Sequence, residues 1–384
     1  MRILGMKIIL SLMRRHYAAI VSVFLVTAAL IITGMAGSYH LSQNLEIRTW
    51  YDLDAVKDNL RGNHTLMNDL DSTTPGYTEL ASPTANQGKG WDPIGFRVVV
   101  TYGDGFEMGR VSVTWYKYTG TFDGQGYEIR DLFINRPDEN HAGLFYTLGD
   151  EGVIKDIGVV NVTVTGYFYV GGLVGGNDGN VSNSYSTGSV TGYHGVGGLV
   201  GGIGGTVINS YSTGNVIGHS NVGGLVGRIY YGATLSDSHS TGTVTGDKWV
   251  GGLVGDIYRS TVSNSYSTGN VIGDSHVGGL VGYNSHGNVR NSYSTGSVSG
   301  TTNVGGLVGN SNVGAESNSF WDTQTSGQAT SAGGTGKTTA EMQDIITFSG
   351  AMWDIIAVAP GPTNTTYIWN IVNGVTYPFL SWQP

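Results

Sequence analysis

The chain has 384 residues with 63 glycines, 8 prolines and no cysteine, and its formal net charge is −9 at pH 7. Abundant glycine with little proline and no Gly-X-Y period excludes collagen, and a 39% share of hydrophobic residues argues against a disordered linker. Between residues 166 and 314 there are five Asp and four Lys or Arg. This part is nearly neutral, so we expect no nucleic-acid partner.

Residues 1–41 predict a signal peptide or a membrane anchor. Four basic residues within the first 15 precede an uncharged run over 18–36, the arrangement that directs export. As a helix the run would be about 28 Å long, close to the thickness of a bilayer core. Small residues at 34–36 allow cleavage after Ala36, so cleavage and anchorage by 18–36 both remain open. We expect an exported protein, extracellular or at the cell surface, with membrane contact only through this segment.

Residues 42–135 predict an N-terminal capping module and the first coil of a repeat. Trp50, Leu53, Val56 and Leu60 have helical spacing, and a strand-like stretch follows at 64–70. A helix ahead of stacked strands covers their open edge, which would otherwise pair end to end.

Residues 136–322 contain a repeat that fixes the fold class. A degenerate copy covers 141–146, and the six full copies of Val-Gly-Gly-Leu-Val-Gly begin at Val170, Val196, Val222, Val250, Val277 and Val304. A period of this length indicates stacked units that bury a shared core. Short runs rich in Val, Tyr and Thr, separated by Gly, Ser and Asn, indicate about three strands per unit. We predict an all-β, right-handed parallel β-helix (β-solenoid) of about eight coils of 25–29 residues, each advancing ~4.8 Å.

Three columns of residues recur in register. Strand alternation around Val181 predicts that Asn183 and Tyr185 point inward with it, which would make the Asn column a buried amide ladder. The predicted structural ladder is Asn183, Asn209, Asp237, Asn264, Asn291 and Asn318. The predicted core ladder is Leu144, Leu173, Leu199, Leu225, Leu253, Leu280 and Leu307. If the strand phase is reversed, the exposed rings of Tyr185, Tyr211, Tyr266 and Tyr293 would form a strip suited to glycans.

Residues 323–384 predict a linker and a C-terminal cap. A short helix is expected over 339–348, and 368–382 predicts a hairpin that turns at Asn373-Gly374. Tryptophans concentrate in the two flanks of the repeat, where we expect them to seal the ends of the core.

The combination of Val-Gly-Gly-Leu-Val-Gly with Asn-Ser-Tyr-Ser-Thr-Gly resembles the GLUG motif of bacterial and archaeal surface and secreted proteins. The flanking strings Trp91-Asp-Pro-Ile-Gly95 and Tyr377-Pro-Phe-Leu-Ser-Trp382 are similar to the usual setting of that motif, and the resemblance covers about 46–384. It implies an extracellular β-helical module. Some members sit in immunoglobulin A peptidases and others in adhesin-like proteins, but the repeat has no assigned catalytic role. No protease domain or C-terminal anchor is recognised here.

The sequence offers weak candidates for chemistry. The string 331–338 resembles a P-loop but has Ser331 at the first Gly position and no preceding apolar strand. The carboxylates at Asp92, Asp104, Asp123 and Asp131 could serve a glycosidase or a lyase, although turn capping explains them as well. Calcium could bind at 123–125 or 178–180, but no repeating Asp pattern supports it.

Two further columns are candidate sites. His194, His219 and His276 precede the Gly-Leu motif at different offsets, so they do not align as a metal-ligand set. The Thr column could order water or ice, although the adjoining glycines favour simple turn positions. The Thr column consists of Thr187, Thr213, Thr241, Thr268 and Thr295.

We therefore expect a non-enzymatic exported cell-surface repeat protein with an adhesive, stalk or surface-layer role. It would need no cofactor, and its partner would be an extracellular protein or glycan. The alternative is a carbohydrate-active β-helix that binds or cleaves extracellular polysaccharide. Clustered carboxylates and exposed aromatic rings would favour the alternative, and a uniform Ser/Thr/Asn surface would favour the first.

Overall fold

The computed structural model describes residues 44–95, 98–102 and 111–383. The predicted targeting segment 1–41 and Asp104 lie outside the described residues. Within them the chain forms a parallel β-solenoid in which each coil crosses four sheets, here called faces 1 to 4. The predicted fold class is confirmed. The seven strands of face 4 mark about seven turns, where the repeats suggested about eight.

Faces 1 and 2 form two sides of each coil. Face 1 consists of Glu46–Ile47, His64–Leu66, Thr121–Asp123, Val153–Lys155, Asn180–Ser182, Thr206–Ile208, Thr234–Ser236, Thr261–Ser263, Asn288–Arg290 and Ala315–Ser317. Face 2 consists of Glu128–Arg130, Phe133–Asn135, Gly158–Thr165, Tyr185–Thr191, Tyr211–Ser212, Asn215–Ile217, His239–Ser240, Val244–Thr245, Tyr266–Ser267, Val271–Ile272, Tyr293–Ser294, Val298–Ser299, Phe320–Asp322 and Thr335–Lys337. Most coils thus contribute two short strands to face 2, so a coil contains five strand segments where three were expected.

Faces 3 and 4 flank the Gly-Leu motif. Face 3 consists of Phe168–Val170, His194–Gly197, Ser220–Gly223, Lys248–Gly251, Ser275–Gly278 and Thr302–Gly305. Face 4 consists of Phe145–Leu148, Val174–Asn177, Val200–Ile203, Val226–Tyr230, Val254–Tyr258, Val281–Ser285 and Val308–Asn312. The motif therefore forms the corner between the two faces, and its Leu points into the solenoid. All seven Leu of the column are fully buried.

The paired glycines of the motif explain how closely opposite faces approach. A Cβ on Gly252 would lie 2.1 Å from the carbonyl oxygen of Gly279 in the next coil and 2.3 Å from Oγ of Ser267, which projects from face 2. A side chain at Gly252 would collide with the backbone of the next coil, which explains why glycine stands there. The hydroxyl of Ser267 occupies the space beside it.

The N-terminal flank caps the first coils, as predicted. Helix Trp50–Ala55 begins at Thr49, whose hydroxyl accepts from the backbone N–H of Asp52 while the Asp52 carboxylate accepts from Thr49 N–H. This reciprocal pair is a capping box. The 3₁₀ helix Val56–Asp58 continues the chain, and Trp50 and Leu53 are fully buried against the core. The remaining elements of this flank are helix Tyr77–Leu80, 3₁₀ helix Ala85–Gly88 and an antiparallel pair of strands, Val98–Tyr102 and Val111–Trp115.

The C-terminal flank forms a small module. Its helices are Thr323–Ser326, Thr339–Met342 and Ile345–Ser349, and its three-stranded sheet comprises Ile355–Ala357, Trp369–Ile371 and Phe379–Leu380. The last two strands pair antiparallel as the predicted hairpin, and Gly374 has a φ of 76° in its turn. The single helix expected over 339–348 is two helices, because Asp344 caps the second one.

The module packs along the side of the solenoid. Trp382 donates from Nε1 to the carbonyl oxygen of Asp237 at 3.1 Å, and Tyr293 donates from its hydroxyl to the carbonyl oxygen of Pro378 at 2.5 Å. The final coil is instead covered by the stretch that was predicted to be a linker. There, Ser331 Oγ accepts from the backbone N–H of Val308 at 2.8 Å, and strand Thr335–Lys337 pairs with Phe320–Asp322.

Candidate functional site

The predicted Asn ladder exists, but on the outside of the solenoid at the corner between faces 1 and 2. Asn209 donates from Nδ2 to Oδ1 of Asn183 at 3.2 Å, and Asn264 donates to Oδ1 of Asp237 at the same distance. The prediction that Asn183 points inward is wrong, because it is exposed. All six members have φ between 48° and 52°. This left-handed conformation suits Asn and Asp and interrupts the alternation on which the prediction relied.

Serines occupy the interior positions that follow this corner. Ser238 is fully buried; its Oγ donates to the carbonyl oxygen of Ser236 at 2.6 Å and accepts from the N–H of Ser210 in the preceding coil at 3.1 Å. The same two bonds recur from coil to coil. Members of this column are Ser184, Ser210, Ser238, Ser265, Ser292 and Ser319. This serine ladder was missed because the sequence reading carried strand alternation through the corner.

The tyrosine column therefore points away from the core, and its rings stack along the solenoid. Tyr185 and Tyr211 have ring centroids 4.8 Å apart, Tyr266 and Tyr293 5.0 Å apart, and both pairs are within 5° of parallel. His239 is stacked between Tyr211 and Tyr266. Each ring covers the faces of its neighbours.

The C-terminal module covers much of this stack. Tyr266 is 6% exposed and Tyr293 1%, and both lie against Trp369 of the hairpin. Only Tyr185 and Tyr211 are half-buried rather than buried, and the hydroxyl of Tyr185 donates to the Glu128 carboxylate. The four rings therefore do not form the open platform that would suit a glycan.

The candidate carboxylates have structural partners. Asp123 accepts from the backbone N–H of Gln125 at 2.9 Å and pairs with Lys155 at 2.5 Å. Asp131 accepts from the amide of Asn161, and Asp92 pairs with Arg136 at 3.1 Å. These contacts are those of turn caps and surface ion pairs.

The histidine and threonine columns are also dispersed. His219 pairs with Asp247 at 2.6 Å, and His194 lies 2.5 Å from Oγ of Ser220. No group of three potential metal-ligating side chains occurs within the part of the chain that the structure describes. Along the Thr column, exposure changes from exposed at Thr213 to buried at Thr295, so it is not a flat water-ordering face.

A cavity at the N-terminal end of the solenoid is the strongest candidate site. Its volume is about 360 Å³, within the range of small-ligand sites. It opens at the corner between faces 3 and 4 and extends from the coil of Thr147 to that of Tyr230, four coils in all. The residues that line this aromatic cavity are Gly95, Tyr116, Lys117, Asn140, His141, Tyr146, Thr147, Tyr169, Gly176, Asp178 and Tyr230.

The floor of the aromatic cavity is a glycine. Gly176 pairs with Thr147 in the preceding coil and Gly202 in the next. Two and three coils beyond Gly176 the same position carries Arg228 and Asp256. A side chain is therefore compatible with the fold here, and its absence at Gly176 produces the recess.

The aromatic walls come from the corner itself. His141 and Tyr169 lie in a column of left-handed residues, with φ of 58° and 54°. This conformation costs a non-glycine residue about 1–2 kcal/mol, and other coils use Gly195 or Asn221 there. The ring of Tyr169 lies over Gly202, where a Cβ would come within 2.7 Å of it. Tyr169 therefore places an aromatic ring at a left-handed position where Gly or Asn would be less strained.

The rings surround the recess on several sides. The centroids of His141 and Tyr146 are 4.7 Å apart, those of His141 and Tyr169 5.4 Å, and those of Tyr169 and Tyr230 6.4 Å. None of these pairs is parallel, so the rings do not cover one another as those of the tyrosine stack do. Tyr230 belongs to a later coil and passes over Gly204, closing the upper side of the cavity.

Polar groups at the rim are nearly balanced in charge. Lys117 pairs with Asp178 at 2.6 Å. Burial lowers the pKa of His141 to about 4, an effect that the Asp178 carboxylate opposes, so the imidazole is neutral at pH 7. Its Nδ1 lies 2.8 Å from Oγ1 of Thr147. The site can therefore offer hydrogen bonds without a net charge.

A second cavity of about 450 Å³ shares Asn140, His141 and Tyr146 with the first. Its outer wall is ionic, because Arg136 pairs there with Asp92 and with Glu139, the latter at 2.9 Å. The two cavities are therefore neighbours, with His141 and Tyr146 contributing to the lining of both.

Few features of the sequence point to this site. The one signal was the degenerate repeat at 141–146, in which Tyr146 replaces the last Gly of the later copies. The motif aligns His141 with its first Val, but Ala142 pairs with Val170, so His141 occupies the position of Tyr169. In the sequence, Gly176 does not differ from the other glycines. Its importance follows from the strand register, which places Thr147, Arg228 and Asp256 at the same position in other coils.

Comparison with known proteins identifies the repeat. The model of the GLUG motif matches residues 166–191, 218–245 and 273–299, so this chain carries GLUG motif repeats. It is 42% identical over 73 residues to halomucin of Haloquadratum walsbyi, which is 19% of this chain and 1% of that protein. It is 34% identical over 142 residues to a "Putative Gly-rich membrane protein" of Evansella cellulosilytica, which is 36% of this chain and 14% of that protein. The matched region is thus a small part of either relative.

The fold is shared with a solved structure. The chain resembles a Bacteroides ovatus protein described as a "putative immunoglobulin A1 protease", with a TM-score of 0.51 and 18% identity over 89% of this chain and 92% of that one. At this identity the likeness concerns the fold alone. In the described ranges (44–95, 98–102 and 111–383), no helix has both the length and the apolar character needed to span a membrane.

Proposed function

We propose that this chain is an exported, non-enzymatic repeat protein of the cell surface, in which the GLUG β-helix is a rigid element with an adhesive role. The main support for the proposal is that the polar side chains of the repeat make structural contacts, which hold neighbouring coils together or cap turns. The Asn ladder links several pairs of neighbouring coils, and the serine ladder links the coils from Ser184 to Ser319. The sequence-predicted carboxylates that the structure describes cap a turn, form ion pairs or accept from a side-chain amide. These polar groups stabilise the stacked coils, and a rigid solenoid of this kind supports a structural or adhesive role.

Catalysis has less support. A glycosidase uses two carboxyl groups about 5–10 Å apart on either side of the scissile bond. Among the described residues that line the aromatic cavity, Asp178 is the one carboxylate, and it pairs with Lys117. Polysaccharide cleavage is therefore disfavoured here, while the ring-lined cavity keeps polysaccharide binding as the second candidate.

Export is proposed on the basic and apolar character of 1–41 and on the likeness to a relative named as a membrane protein. We favour neither cleavage after Ala36 nor anchorage by 18–36. Both lead to the same location for residues 44–383.

The experiment expresses the full chain with a C-terminal tag in a bacterial host, beside a variant that begins at Ser42. Protease added to intact cells should digest the tagged full chain, or the tag should appear in the medium, while the shortened variant stays protected inside. Purified protein should release no new reducing ends from polysaccharides and should leave immunoglobulin A1 intact. Retention of the full chain inside the cell, or turnover of either substrate, would refute the corresponding half of the proposal.

A further inference from the structure

We propose that the aromatic cavity is a binding site for a neutral sugar, one pyranose unit of a longer glycan. This inference deepens the proposed adhesive role and rests on it. Four features of the cavity support it: the shape of the recess, the arrangement of its rings, its charge and its position on the molecule.

The recess is built into the fold rather than left by loose packing. Its floor depends on Gly176, and a Cβ there would meet only ordinary contacts, at 3.5 Å from Thr147 Oγ1 and 3.7 Å from His141. By contrast, the corresponding position at Gly202 is filled by the ring of Tyr169. Gly176 thus leaves space for a ligand, and Gly202 makes room for the Tyr169 ring that borders this space.

The rings suit a flat, partly apolar ligand. Sugar rings present C–H groups on one face and hydroxyl groups around the edge, so they combine aromatic stacking with hydrogen bonding. Tyr169 and Tyr146 stand on different sides of the recess, each in contact with His141. The hydroxyl group of Tyr169 and the amide of Asn140 supply donors and acceptors in the lining.

The charge of the site argues for a neutral ligand. Lys117 is the one Lys or Arg among the described residues lining the aromatic cavity, and Asp178 already pairs with it. His141 is neutral at pH 7. Among the described residues of the lining, a phosphate or sulfate group would find no uncompensated positive charge, so nucleotides and sulfated glycans fit less well than neutral hexoses.

The position of the site suits a chain longer than one unit. The second cavity, with its rim of Arg136, Asp92 and Glu139, lies next to the first and shares His141 and Tyr146 with it. A glycan that places one pyranose against Tyr169 can extend its next unit along this polar rim.

The test measures binding of the full chain to cellohexaose, mannohexaose and xylohexaose by isothermal titration calorimetry. Tyr169→Asn removes the ring but keeps a residue that the same corner already accepts at Asn221 and Asn303, with φ of 55° and 53°. Gly176→Thr fills the floor with the residue found in register at Thr147. The matched control is Trp249→Asn, an aromatic residue in the same column with φ of 54°, outside the cavity.

We expect at least one of these oligosaccharides to bind, Tyr169→Asn to weaken binding by about tenfold, and Gly176→Thr to abolish it. Trp249→Asn should bind as the parent does, and all three variants should keep the circular-dichroism spectrum and melting temperature of a folded solenoid. If a variant unfolds, Tyr169→Gly and Gly176→Ala take its place, since both are milder changes at the same positions.

Two results would overturn the inference, and they differ in what they say of the proposed function. Binding that survives both cavity variants would place the sugar elsewhere and leave the adhesive role intact. If none of the three oligosaccharides binds, the neutral-sugar site is refuted. Attachment of the purified chain to cells or to immobilised protein would then decide separately whether the adhesive role fails as well.

Discussion

Two buried serines, two residues apart in the same coil, should respond very differently to removal of their hydroxyl groups. Ser238 and Ser240 are both fully buried. Oγ of Ser238 donates to the carbonyl oxygen of Ser236 at 2.6 Å and accepts from the N–H of Ser210 at 3.1 Å. Oγ of Ser240 has no hydrogen-bond partner among the described residues. The same Ser→Ala change therefore removes two bonds in one case and none in the other.

The magnitude follows from this difference. Each lost hydrogen bond costs about 0.5–1.5 kcal/mol, and a buried N–H left without an acceptor adds a desolvation penalty. The carbonyl oxygen of Ser236 keeps a second donor, the N–H of Asn209 at 3.3 Å, so Ser210 is the group left unpaired. Ser238→Ala should cost about 2–3 kcal/mol. Ser240→Ala should change the free energy of unfolding by less than about 0.5 kcal/mol, because it removes only an unsatisfied hydroxyl.

Scanning calorimetry and urea unfolding of both variants measure the difference, and the loss of volume is the same in each. Amide hydrogen exchange adds a local readout, since the Ser210 amide should lose protection in Ser238→Ala and keep it in Ser240→Ala. Equal destabilisation by the two substitutions, or unchanged protection of Ser210, would refute the claim that the serine ladder ties the coils together.

Three further changes test packing and charge. In Gly252→Ala the new Cβ would lie 2.1 Å from the carbonyl oxygen of Gly279, so we expect a clear drop in melting temperature. The control Gly176→Ala should melt at the temperature of the parent. Equal melting temperatures for the two variants would contradict the close approach at Gly252. Burial raises the pKa of Asp256 to about 6. The folded state therefore holds a proton that the unfolded state has released between about pH 4 and 6, and stability falls as the pH rises through this window. Asp256→Asn should remove that fall, which urea titrations at several pH values would detect. Burial lowers the pKa of His239 to about 4, so the unfolded state takes up the proton first and stability is lost as the pH falls from about 6.5 to 4. His239→Phe, which places in the stack the residue found at Phe320, should remove this loss, and an unchanged pH profile would show that burial of the imidazole is not the cause.

The repeat predicted the fold class well, because a period that recurs in register leaves few architectures open. The position of each Leu follows from the same regularity, since Leu144 to Leu307 occupy one corner of every coil. The N-terminal cap was predictable for a different reason: Thr49 and Asp52 are a local signal that needs no tertiary information.

The faces of the coil were harder to predict because one residue changes the phase. Strand alternation is reliable only while the backbone stays extended, and Asn183 leaves that conformation at φ 48°. Beyond it the serines point inward and Tyr185 points outward. The frequency of Asn at this position was itself a sign of a left-handed corner, but a stacked amide ladder accounts for the same pattern.

The C-terminal hairpin was predictable and its location was not. Asn373-Gly374 is a local turn signal, whereas the contact of Trp382 with Asp237 joins residues 145 positions apart. The aromatic cavity is a similar case. It is assembled from Lys117, His141, Tyr169 and Tyr230, and the residues come together only once the coils are stacked.

The most direct test of the whole account is a crystal structure of the chain grown with the neutral oligosaccharide that binds it best. We expect density for a pyranose ring over Gly176, against the rings of Tyr146 and Tyr169, with the rest of the glycan directed toward Arg136. A sugar bound on the tyrosine stack at Tyr185 and Tyr211, or an empty recess beside a sugar bound elsewhere, would contradict it.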